Sequence, residues 1–68
     1  MSFIIIFDIP RNLSLVALRV NRTLKRIGAN KIQHSAWRCK DLNALISIAN
    51  FIKQHGGKAS ILEEKFVF

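Results

Sequence analysis

Acid is what this sequence has least of. Its 68 residues include 4 Asp and Glu against 11 Lys and Arg, for a formal net charge of +7. Cysteine occurs once, at Cys39, so an internal disulfide is excluded. With only His34 and His55 beside it, Cys39 cannot complete a zinc ligand set either. One proline and three glycines leave no room for a low-complexity linker. The longest aromatic and β-branched run, Phe3 to Phe7, is ended by Asp8. That is far short of the roughly 20 apolar residues a spanning helix needs. Neither HExxH nor a glycine-rich phosphate loop is present.

Half of the residues are hydrophobic, too many for a disordered basic tail. The length suits one domain, residues 1–68, and is too short to enclose a substrate between two domains. A core of this size supplies roughly 3–5 kcal/mol, so a partner subunit is the expected support. No charged n-region precedes Phe3 and no cleavage site follows it, so we expect no signal peptide and a reducing, cytoplasmic setting. No membrane partner is expected.

Pro10, Gly28 and Gly56-Gly57 punctuate the chain. Phe3 to Phe7 predicts a strand buried on both faces and therefore central in a sheet. Leu13, Val16, Val20, Leu24 and Ile27 recur at three and four residues, the stripe of a helix. Asn12 or Ser14 is placed to cap its start, and Gly28 suits a left-handed residue after its end. Lys31 to Cys39 predicts a strand, or two short strands of a hairpin if a bend divides it. Asp41 is a good N-cap for a second helix with Leu42, Leu45, Ile48, Ala49 and Ile52 on its apolar face. Lys58 to Leu62 and Lys65 to Phe68 read as extended segments. The order predicts an α+β ferredoxin-like βαββαβ sandwich, with both helices on one face of a small antiparallel sheet and a C-terminal extended segment. The other face is then expected to meet a partner, with Trp37 among the apolar residues available.

Asp8 is the sharpest candidate for chemistry. It ends the first strand and is the only acid among the first 40 residues. A carboxylate there is placed for a ligand or a hard cation such as Mg²⁺, or else caps the following turn. One carboxylate makes a poor metal site, but a two-fold dimer would supply two. His34 has no acid beside it in sequence, and the adjacent Ser35 would point to the opposite strand face. His55 falls at a helix C-terminus, where an imidazolium suits the dipole. Cys39 reads as a small buried residue. The broadest signal is basic: Arg19, Arg22 and Arg26 share a helical face, and no acid lies between Leu13 and Ile27. A solvated helix normally mixes signs, so this imbalance points to phosphate. Arg11, Lys31 and Arg38 extend the candidate nucleic-acid patch.

Two segments resemble a known family. Ile5-Ile6-Phe7-Asp8-Ile9-Pro10 looks like its opening hydrophobic strand, which ends in a Tyr/Phe-Asp-Ile-Pro-like motif. Gly28-Ala29-Asn30-Lys31-Ile32-Gln33-His34-Ser35-Ala36-Trp37 looks like its glycine followed by a basic-Val/Ile-Gln-x-Ser-Val-Phe motif. The family is the small CRISPR-associated protein Cas two. The resemblance implies a ferredoxin-like homodimer in which Asp8 lies at the dimer axis, associated with Mg²⁺. It implies either a metal-dependent endonuclease acting on RNA or DNA, with Asp8 catalytic, or a DNA-carrying dimer beside a CRISPR integrase in antiviral defense. It also implies that Lys65-Phe66-Val67-Phe68 pairs with a partner's sheet. The departures are Arg38 where an acid often follows, Lys31 for a usual Arg, and Arg11-Asn12-Leu13 for a more acidic turn. A protein-interaction or regulatory module of ferredoxin-like fold, without catalysis, is the alternative.

Overall fold

Each punctuation mark in the sequence ends an element. A computed structural model describes residues 1–65. Strand β1 (Ser2–Asp8) stops before Ile9-Pro10, where the missing N–H of proline cannot extend a ladder. Helix α1 (Ser14–Arg26) follows, then strands β2 (Asn30–Gln33) and β3 (Ala36–Cys39). Helix α2 (Leu42–Gln54) and strand β4 (Lys58–Glu64) complete the described chain. The four strands lie in the order β2-β3-β1-β4, every pair antiparallel. This is the ferredoxin-like α+β arrangement. No helix among the described residues is long and apolar enough to cross a membrane.

The helix ends differ from each other in how they are held. Leu13 occupies the N-cap of α1, and no side chain bonds there, so neither Asn12 nor Ser14 caps it. The entry is instead a backbone turn, in which Leu13 N–H donates to the Pro10 carbonyl at 2.9 Å. At α2 the expected cap forms: the Asp41 Oδ1 accepts from Ala44 N–H at 3.1 Å. Gly28 (φ 81°) and Gly56 (φ 91°) take the left-handed conformation after the two helices. Gly57 is required for a different reason. A Cβ there would fall 2.6 Å from Ile52 Cγ2 and 2.8 Å from the Asp8 carbonyl oxygen.

The run Lys31 to Cys39 divides into the hairpin β2-β3, with His34-Ser35 as its turn. Both turn residues keep negative φ, which excludes the primed turns usual in two-residue hairpins. The register shifts between Lys31 and Gln33, a bulge that accommodates the mismatch.

The core lies between the helices and one sheet face. Ile5, Val20, Leu24, Trp37, Leu45 and Ile52 are its largest fully buried side chains. Each contributes roughly 1.5–3 kcal/mol by leaving water. Strand alternation sends Phe3, Ile5 and Phe7 toward the helices and Ile4 and Ile6 the other way.

Three expectations change here. β1 is central, as predicted, but is not buried on both faces, because no described element covers the second: Ile6 is 44% exposed beside fully buried Ile5. Trp37 belongs to the core rather than to a partner-facing surface. β4 runs two residues further than predicted, to Glu64. Of the C-terminal extended segment, residues 66–68 lie outside the described residues.

Candidate functional site

The helical spacing of Arg19, Arg22 and Arg26 brings all three to one place. They line a groove of about 470 Å³ between α1 and α2. Val20 and Ile48 are the buried floor, and Ser47 and Phe51 stand on the α2 wall. Neither α1 nor α2 contains an Asp or Glu. Among the described residues the only ion pair is Arg38–Glu64, elsewhere in the molecule, so no carboxylate pairs with the groove arginines.

Phe51 is half-buried and is held from two sides. The Arg19 guanidinium lies 5.1 Å from its ring centroid, within cation–π range. The His55 ring stands 4.4 Å away, tilted by 48°, and its Nδ1 bonds to the Phe51 carbonyl at 2.8 Å. His55 therefore closes the C-terminus of α2, as its position predicted. On α1 the Thr23 hydroxyl donates to the Arg19 carbonyl at 2.8 Å, a bond back into the preceding turn. The α1 surface thus offers three guanidinium groups above an apolar floor with an aromatic wall.

The other three residues of the predicted basic patch do not join this groove. Arg11 is exposed in the β1–α1 connection. Lys31 sits on the edge strand β2, with its ammonium 5.9 Å from the Trp37 ring centroid. Arg38 is on the bare sheet face. Its Nε donates to both Glu64 carboxylate oxygens, at 2.8 and 2.9 Å, and its Nη2 lies 2.7 Å from Oε2. The hydrogen bonds and the charge of Glu64 raise the pKa of Arg38 above its ordinary value. Because β3 and β4 flank β1, this pair crosses the central strand.

Asp8 stands at the opposite end of β1 from that ion pair, exposed and in register with Lys58 of β4. Phe7 N–H donates to the Ser35 carbonyl at 3.1 Å, tying the hairpin turn to the strand end. A pocket of about 350 Å³ follows, lined by Asp8, Asn21, His34 and Ser35 among others. The Asn21 Oδ1 is buried and has no hydrogen-bond partner. Sequence reasoning named Asp8 and weighed His34 and Ser35 but missed Asn21. The only signal for it was a polar residue next to the apolar stripe of α1.

Mg²⁺ fits this pocket poorly on a single chain. Asp8 is its sole carboxylate, and the described residues contain no cluster of three His, Cys, Asp or Glu that could hold a metal. Cys39 is a buried free thiol without a place in either site.

No family model matches the chain, and no curated protein matches it.

Proposed function

We propose that this protein binds nucleic acid through the outer surface of its helix layer. One observation carries the reading: Arg19, Arg22 and Arg26 converge on a groove whose two helices contain no acid. Uncompensated guanidinium groups on one face are costly to keep together unless an anion answers them, and phosphate suits their planar, bidentate donors. Arg11 and Lys31 add positive potential at the periphery, and the net charge of +7 speeds encounter with any polyanion. The experiment is titration of labelled DNA and RNA oligonucleotides at several salt concentrations. Binding by this surface weakens steeply with salt, and affinity that does not change with salt refutes it.

The reading extends to a homodimer. Ile4, Ile6 and Leu62 lie together on the sheet face that no described element covers, and Ile6 and Leu62 are 44% and 51% exposed. Together with the likeness of Ile5–Pro10 and Gly28–Trp37 to the Cas two family, this supports a dimer that presents DNA to a CRISPR integrase. Sedimentation of the isolated chain tests the first part, and co-purification with the integrase tests the second.

A second reading, hydrolysis of the bound phosphodiester, is favoured by the pocket that gathers Asp8, Asn21 and His34. One carboxylate per chain falls short of a cation's needs, and a two-fold pair of Asp8 side chains would bring two. Cleavage of RNA and duplex DNA by wild type and Asp8→Asn, with Mg²⁺ or chelator, decides it. Mg²⁺-dependent cutting lost in the variant supports the reading. Equal cutting by both refutes the role of Asp8, and no cutting by either leaves binding as the function.

A further inference from the structure

We propose that the α1–α2 groove receives an unpaired base, so that the protein prefers single-stranded nucleic acid to duplex. The inference rests on the nucleic-acid reading above and names the ligand of that surface. A surface that only follows phosphates needs charge and no cavity. Here the charge surrounds a concavity of about 470 Å³, within the range of small-ligand sites. Its floor is apolar, formed by Val20, Ile27 and Ile48. Its wall carries Phe51, with the Arg19 guanidinium 5.1 Å from the ring centroid. Aromatic rings and guanidinium planes are the two kinds of surface on which splayed bases pack.

The choice of cation points the same way. α1 carries Arg19, Arg22, Lys25 and Arg26, and only the three arginines line the groove. Arginine offers a planar face for stacking and a fork for phosphate, and lysine offers neither. From Arg19 to Arg26 the helix rises about 10 Å, enough to hold the phosphates on either side of an inserted base. In a duplex both faces of every base are stacked, so a duplex can use the rim and not the floor.

The test compares an oligothymidylate, the same strand with abasic sites in place of its bases, and a duplex of equal length, at one salt concentration. Two variants fill the groove from its α2 wall while keeping every arginine: Ser47→Trp, at an exposed position, and Ala44→Phe. Circular dichroism confirms that each is folded. We expect wild type to bind the oligothymidylate about tenfold more tightly than the abasic strand or the duplex, the size of one base–aromatic stack. Either variant should reduce the oligothymidylate affinity to that of the duplex. Equal affinity of wild type for all three ligands overturns the base-insertion proposal while the binding surface stands. So does a preference that survives in both folded variants. Absence of binding to any of the three overturns both.

Discussion

The helix layer and the bare sheet face hold their arginines in opposite circumstances. On the sheet, Arg38 meets Glu64 through two nitrogens and its charge is answered within the chain. On the helices, Arg19, Arg22 and Arg26 share a groove with no acid on either element. The sheet face shows Ile4, Ile6 and Leu62 in a block, while the groove keeps its apolar atoms as a floor. Unanswered arginine charge therefore gathers in the groove, and the bare sheet face offers a continuous apolar block, while Leu15, Leu18 and Ile46 are exposed singly on the helices. A polyanion and a second copy of the chain would take different faces and need not compete.

The largest effect expected is structural and separates the two sides of one strand. Ile5→Ala, at a fully buried site on the helix side, should cost about 2–5 kcal/mol in urea or thermal unfolding. Its neighbour Ile6→Ala, 44% exposed, should cost under about 1 kcal/mol at low protein concentration. If Ile6 truncation proves as damaging as Ile5, the sheet face is covered even in the smallest species and the contrast fails.

Next is the charge on the helices. Replacing Arg19, Arg22 and Arg26 together by Gln should lower oligonucleotide affinity about a hundredfold at low salt, with the fold unchanged by circular dichroism. On the sheet side, Ile6→Lys with Leu62→Lys should abolish any self-association seen by sedimentation and leave the helix-layer affinity in place. The smallest effect belongs to Arg38: Arg38→Gln should change affinity by less than about twofold, because its charge is already paired. A loss comparable to that of the helix-layer triple variant would merge the two faces into one site.

Much of the fold was legible in the sequence because its signals are local. Pro10, Gly28 and Gly56-Gly57 stop elements wherever they occur, and the period of Leu13 to Ile27 marks a helix without help from the rest of the chain. Asp41 caps α2 for the same reason. The absence of acid in α1 was equally plain, and it was the strongest functional signal. What stayed hidden depends on segments meeting across the fold. Arg38 pairs with Glu64 26 residues away, so nothing near Arg38 in sequence shows that its charge is spent. The aromatic wall of the groove comes from Phe51 on the other helix, and only packing places it beside Arg19. His34 reaches the pocket of Asp8 because the hairpin turns at His34-Ser35, and the sequence left open whether that run turned at all. Asn21 joins them from α1, which lies elsewhere in the chain.

The most direct test of the central claim is the slope of log affinity against log salt for a short single strand, measured for wild type and for the Arg19→Gln, Arg22→Gln, Arg26→Gln variant. If these arginines hold phosphates, the slope should shrink by about 2, at roughly 0.7 for each phosphate no longer neutralised. An unchanged slope in the folded variant would mean that the nucleic acid lies elsewhere and would contradict the account.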